Sequence, residues 1–286
     1  MTDRKNRLLL LHEATGAGWN TLKKIYTIDP SFSLPFVLSP ASLSKELAIP
    51  LKKASSLIHF LQKEKGKRTV QYYLDRNIMI MTPFDSMYPR RLFHMHDPPW
   101  VLYIKGQTDI LKKSSFLAVV GTRQPTSYGL QAMEMLLPPI IKRRTVIISG
   151  LAKGVDTRAH QLAMSNQGYT IAVCGSGFNY MYPRENLAFS RIISQSHLLV
   201  SEYPPHTPPA KWQFPMRNRI ISSLSDAVFV IEAGAKSGSL ITASQALEQG
   251  RDVYALPGPI DSKVSAGTNK LIQDGARPIL HPDDLL

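Results

Sequence analysis

Residues 116–129 read Phe-Leu-Ala-Val-Val-Gly-Thr-Arg-Gln-Pro-Thr-Ser-Tyr-Gly, and this stretch decides the fold. Five apolar residues stand in a row and stop at a glycine. An uninterrupted apolar run of that length is the pattern of a strand buried on both faces. Gly121 lets the backbone turn tightly, and polar residues then lead into a helix. Strand, glycine turn and helix make half of a parallel β-α-β unit.

The same texture repeats on both sides of that stretch. Apolar, β-branched runs lie at 78–81, 101–104, 116–120, 145–149, 170–174, 198–201, 227–231 and 252–256, separated by amphipathic helical stretches. Such alternation predicts a mostly parallel sheet covered on both faces, an α/β, doubly wound domain of extended Rossmann type over 76–286. Pro138-Pro139 falls inside the helix after Gly129 and predicts a bent or split crossover. Residues 1–75 read instead as short helices with polar turns, a small helical domain. Within it, Thr15-Gly16-Ala17-Gly18-Trp19 separates two helical runs. That pattern fits a helix-hairpin-helix module gripping DNA backbone, or a plain helical turn.

The chain has 286 residues and a formal net charge of +13. Residues 1–75 hold twelve Lys or Arg against six Asp or Glu, so the smaller part has the denser surplus. An excess of this size points to a polyanion, nucleic acid or an acidic membrane surface, or to a merely basic soluble protein. The lone Cys174 excludes an internal disulfide framework and a cysteine-rich zinc site, which fits a reducing cytoplasm. The N-terminal apolar run covers 8–11, too short for a signal peptide, and no run reaches bilayer length.

In an open α/β sheet, ligands collect at the carboxyl ends of the strands, and every informative cluster falls there. After 116–120 come Gly121, Thr122 and Arg123, then Ser127, Tyr128 and Gly129. Hydroxyls and helix N–H groups can receive a phosphate, Arg123 is a forked donor, and Tyr128 offers a ring for stacking. After 145–149 come Ser149, Gly150, Lys153 and Gly154, with Asp156 placed to cap the helix or hold a neighbouring loop and His160 as a packed histidine. Gly175-Ser176-Gly177 lacks the third glycine of a dinucleotide fingerprint. Arg217, Asn218 and Arg219 follow Pro215 at the start of a helix, where cations oppose the macrodipole. A bound anion explains that placement, and so does pairing with Asp226, Glu202 or Glu232.

Lys236, Ser237, Gly238 and Ser239 open another helix. They approach a Walker A loop, but Ala235 precedes the lysine and Phe229 stands near where the first glycine belongs. Phosphate binding without nucleotide hydrolysis is the reading. His94-Met95-His96-Asp97 runs into Pro98-Pro99 without a further ligand cluster, so no metal or other cofactor is expected, and no catalytic residue is assigned.

Together these loops resemble the DNA processing protein A family (DprA, also called Smf). The resemblance is carried by Tyr88-Pro89-Arg90-Arg91-Leu92, Val120-Gly121-Thr122-Arg123 and Ser149-Gly150-Leu151-Ala152-Lys153-Gly154-Val155-Asp156. It continues in Phe214-Pro215-Met216-Arg217-Asn218-Arg219, Lys236-Ser237-Gly238-Ser239 and Leu256-Pro257-Gly258, and covers about 85–280. It implies a non-enzymatic protein whose basic pocket takes the backbone of single-stranded DNA, with Arg123, Lys153, Arg217, Arg219 and Lys236 at its basic positions. It also implies a homodimer formed through the Rossmann domain, contact with the RecA recombinase, a role in natural transformation, and no membrane. Many members carry a winged-helix domain after the Rossmann domain. Eleven residues follow Gly275 here, so that domain is expected to be absent. The competing reading is a phosphoribohydrolase-like enzyme on a related scaffold. Such enzymes typically carry a P-G-G-x-G-T-x-x-E stretch, whereas residues 232–239 lack its final glutamate and most of its glycines.

Overall fold

The computed structural model describes residues 2–14, 17–64 and 67–285, with Thr2 described by its backbone alone. The chain forms two compact units, one of residues 1–88 and 97–103, the other of 89–96 and 104–286.

The smaller unit is built from α1 (Thr2–Glu13), α2 (Trp19–Ile28), α3 (Leu34–Val37), α4 (Pro40–Leu47), α5 (Leu51–Glu64) and α6 (Val70–Leu74), followed by the strand β1 (Met79–Met81). Leu8, Leu9 and Leu11 of α1 are fully buried, as are Leu22, Ile25, Leu43 and Leu57. Four consecutive leucines bury because α1 is enclosed on several sides; a one-faced helix would leave one outside. Glu13 is buried too, and accepts hydrogen bonds from the Tyr103 hydroxyl (3.2 Å), the Tyr73 hydroxyl and Arg68 (3.0 Å). Thr15 and Gly16, half of the glycine turn read from the sequence, lie outside the described residues.

Strand β2 (Leu102–Gly106) carries the chain into the larger unit. There follow β3 (Phe116–Val120), α7 (Ser127–Lys142), β4 (Val146–Ser149), α8 (Val155–Ser165), β5 (Thr170–Cys174), α9 (Leu187–Ser196) and β6 (Leu198–Ser201). Then come α10 (Gln213–Leu224), β7 (Ala227–Val230), α11 (Gly238–Glu248), β8 (Asp252–Ala255), α12 (Ala266–Gln273) and β9 (Arg277–Pro278). The strand order is β6-β5-β4-β3-β7-β8-β9, with parallel pairing throughout this run. This is the doubly wound α/β sheet that the apolar runs predict. The short β9 was not legible, because Arg277 and Pro278 are both exposed and carry no apolar signal.

Side-chain alternation sorts the layers. Leu117, Val119, Ile147 and Phe229 point into one core with Met133, Leu136, Leu137 and Ile140 of α7 and Val155, Ala159 and Ala163 of α8. On the other face α10 and α11 pack on each other and on the sheet. Right-handed crossovers place successive helices on opposite faces once the chain reverses direction along the sheet. That reversal lies between β3 and β7, the switch point of the fold.

Of the bend or split expected at Pro138-Pro139, the split does not occur, since helix α7 runs continuously through both. The two prolines release the carbonyls of Glu134 and Met135. Both residues are on the exposed side, where water can replace the lost hydrogen bonds, while Leu136, Leu137, Ile140 and Ile141 hold the other side in the core. Among the described residues no helix is long and apolar enough to cross a membrane.

Candidate nucleic-acid interface

The loops leaving β3 and β7 are tied together before any ligand arrives. Glu232, 1% exposed, accepts hydrogen bonds from the Thr126 backbone N–H (2.9 Å) and hydroxyl (2.6 Å). Its own carbonyl accepts the Thr122 N–H at 2.7 Å. Thr126 in turn caps α7 by accepting the Gly129 N–H. Gly129 is required there, since a Cβ would lie 2.6 Å from the Glu232 carboxylate. Ser127 is exposed on the first turn of α7, and the Tyr128 hydroxyl donates to the Pro257 carbonyl at 2.5 Å. The structure thus uses Ser127, Tyr128 and Gly129 to start and anchor a helix.

Beside this staple, at the carboxyl ends of the strands, lies a cavity of about 700 Å³. It falls within the range of about 300–1,000 Å³ common for ligand sites. Gly121, Thr122 and Arg123 line it from β3, Lys153 and Asp156 from the loop into α8, and Ser237, Gly238 and Ser239 from the start of α11. Arg217 and Asn218 line it from α10. The rim carries the exposed cations Arg123, Lys153 and Lys211. The wall is apolar and aromatic: Phe214 packs against Gly175, where a Cβ would meet its ring at 2.7 Å, and against the Tyr182 ring at 5.4 Å between centroids.

The floor holds a buried pair of opposite charges. Arg217 donates through Nη1 to the Val173 carbonyl and through Nε to Asn218 Oδ1 at 3.1 Å. Asp156 accepts a longer contact from the Ala152 N–H at 3.4 Å. Burial pushes the Asp156 carboxyl above its usual range, and the Arg217 guanidinium pulls it back. Burial likewise lowers Arg217, offset by Asp156. Both side chains close over Gly150, where a Cβ would lie 2.4 Å from each.

Three further residues singled out from the sequence stand elsewhere. Ser149 is fully buried and donates to the Val119 carbonyl at 2.6 Å. Arg219 is buried and paired with Glu202, one of the alternatives the sequence left open. Helix α10 begins at Gln213, so its arginines occupy the second turn and the macrodipole argument for a bound anion does not apply to them. Lys236 is exposed, just off the cavity wall, with Ser237 capping α11 by accepting the Ser239 N–H.

Sequence reasoning passed over Lys211, Phe214 and Tyr182 as site residues; of its two readings of Asp156, the contact with the Ala152 N–H fits the loop-holding one. Lys211 ends a proline-rich loop without periodicity, so nothing in its neighbours marks it. The aromatic pair had a signal, in that Phe214 and Tyr182 both precede prolines at a strand-to-helix passage.

His160 supports the loop from below. Its Nε2–H donates to the Gly150 carbonyl at 2.6 Å, and its Nδ1 lies 2.6 Å from the Thr170 hydroxyl, which itself donates to the Ile147 carbonyl at 2.8 Å. Burial lowers its pKa from 6.5 to about 4. The folded state keeps this ring neutral while the unfolded chain protonates it near 6.5. Stability is therefore fully present above that value and is lost as pH falls from about 6.5 to about 4, by about 3 kcal/mol. Urea midpoints between pH 7 and 4 should show this loss, and His160→Gln should flatten it. His12 in the smaller unit has the same sign, also lowered by burial to about 4, so the comparison with His160→Gln isolates the larger unit.

Comparison with known proteins places this geometry. A family model described as DNA recombination-mediator protein A matches residues 79–286. The chain is 42% identical to the DNA processing protein DprA of Bacillus subtilis, over 92% of this chain and 88% of that protein. It is similar to the X-ray structure of DprA from Streptococcus pneumoniae, with a TM-score of 0.83, 33% identity, and coverage of 100% of this chain and 97% of that one. A DprA structure from Helicobacter pylori, described for its single-stranded DNA binding mode, matches with a TM-score of 0.66 and 32% identity over 72% of this chain and 93% of its own.

Proposed function

The chain belongs to the DNA recombination-mediator protein A family, and from that premise we propose that it grips single-stranded DNA in the cavity at the switch point. It would protect incoming DNA and help load the RecA recombinase during natural transformation and homologous recombination. It would act in the cytoplasm as a homodimer through the Rossmann domain, and it catalyses no reaction of its own. The observation that carries this reading is the composition of the cavity: three exposed cations and a helix N-terminus at the rim, over an aromatic wall. Phosphates meet the rim through charge, while Phe214 and Tyr182 offer faces on which any base can stack. The glutamate at the switch point, Glu232, is engaged by the Thr126 N–H and hydroxyl and so holds the loop that starts α7.

Counterion release sets the expected salt dependence. Three or four cations each taking one phosphate give a log–log slope of about −2 to −3 on a single strand. Oligo-dT should bind more tightly than duplex of equal length, across a salt series followed by fluorescence anisotropy. Equal affinity for both, or no slope, refutes the reading. Loading is tested separately by the rate of RecA-dependent ATP hydrolysis on coated single strands, which the protein should raise. Unaltered rates would remove that part alone.

A further inference from the structure

A second cavity, of about 440 Å³, lies across the first turns of α8 and is lined by Pro125, Lys153, Thr157, Arg158 and Gln161, with Glu134 of α7 opposite. Lys153 lines both cavities. The two sites are therefore contiguous, and Arg123, Lys153 and Arg158 form a row of cations running from one into the other. The crossing itself is made of backbone: Gly154 packs against the backbone of Thr122 and Arg123, and the Val155 N–H donates to the Thr122 carbonyl at 3.1 Å.

The cations of the row are engaged in pairs that an anion can replace. Lys153 pairs with Glu185 at 2.7 Å, with both side chains more than half exposed. Arg158 pairs with Glu134 at 2.5 Å, with side-chain exposures of 34% and 50%. Exposed pairs of this kind contribute little to stability, so exchanging a carboxylate for a phosphate costs little. An arginine also takes two phosphate oxygens in a forked contact that a single carboxylate contact leaves unused.

We propose that the second cavity is a continuation site, taking the phosphodiester backbone of the same single strand after it crosses Lys153, with Arg158 as its phosphate contact and Glu134 as a competitor for that arginine. The proposal rests on the first cavity holding single-stranded DNA. It makes binding depend on strand length: a short oligonucleotide fills the first cavity, and a longer one reaches the second.

The test uses the full chain with oligo-dT of five and twenty nucleotides. Arg158→Ala should leave the 5-mer affinity unchanged, weaken the 20-mer roughly ten- to hundredfold, the effect of one charged hydrogen bond, and reduce the salt slope on the 20-mer by about 0.7. Glu134→Gln should move the 20-mer the other way, tightening it by about two- to threefold, the size of an exposed ion pair. The opposite signs separate this role from a purely structural tie between α7 and α8, in which both substitutions lower the unfolding midpoint and neither tightens binding. Equal effects of Arg158→Ala on both lengths, no effect on either, or shifts of the same sign for the two substitutions would overturn the proposal. Arg123→Glu, run alongside, should weaken both lengths. If it does and Arg158→Ala shows no length dependence, the continuation site alone fails. If Arg123→Glu weakens neither, the first cavity fails as well.

Discussion

Arg123→Glu is expected to weaken oligo-dT binding roughly 100-fold at low salt while leaving the fold intact. Arg123 is exposed on the rim of the cavity, on a loop held from below by Glu232 and Gly154. Its side chain carries no core packing, so the unfolding midpoint should move by no more than about 0.5 kcal/mol. Removing a charged hydrogen bond to phosphate costs about 1.5–3 kcal/mol, and the new carboxylate adds repulsion. The repulsive part is screened, so the defect should shrink as salt rises. Lys236→Glu makes the instructive comparison. Lys236 lies off the cavity wall, so its reversal should act through the field alone, with a smaller effect that high salt abolishes. Anisotropy titrations at two salt concentrations measure both. A folded Arg123→Glu chain with undiminished affinity would falsify the site.

Gly154→Ala is expected to destabilise the larger unit by about 2–4 kcal/mol and to disturb the Arg123 loop. Gly154 has φ 77° and ψ −123°, a conformation open essentially to glycine, and an added Cβ would lie 2.6 Å from the backbone of Arg123 and Thr122. Strain of that kind costs about 1–3 kcal/mol, and the clash falls on backbone that cannot rotate away. A glycine-to-alanine change at a compatible site would instead stabilise by about 0.4–1 kcal/mol, so the sign of the shift decides the matter. Urea unfolding gives the stability, and oligo-dT affinity should fall with it because the rim loop must move. A variant as stable as the parent would show that the two loops do not meet at Gly154.

Much of the fold was legible because a strand buried on both faces must be apolar at every position. Phe116–Val120, Thr170–Cys174 and Leu198–Ser201 have in the structure the bounds that the apolar runs predict. Local chemistry also marked the loops at strand ends, since Gly121 and Ser237-Gly238 advertise turns and helix starts through their own conformational and capping preferences. Pro138-Pro139 does not split α7, for the complementary reason. Proline's local penalty is real, but the apolar residues on the opposite side of α7 hold the helix together.

The candidate site divides along the same line. The sequence by itself determined which loops carry cations and hydroxyls, because these are properties of neighbouring residues. Only the tertiary structure decided which of those groups face one cavity. Arg217 and Arg219 are two residues apart on one helix, yet Arg217 reaches the cavity floor beside Asp156 while Arg219 turns to Glu202. Residues two apart on a helix project about 200° apart, so they meet different surroundings. Partners such as Val173, Glu202 and Asp156 come from separate strands and loops, and the sheet order brings them to α10. The same holds for Lys211 and for the shared position of Lys153 between two cavities, which depend on how three loops converge at the edge of the sheet.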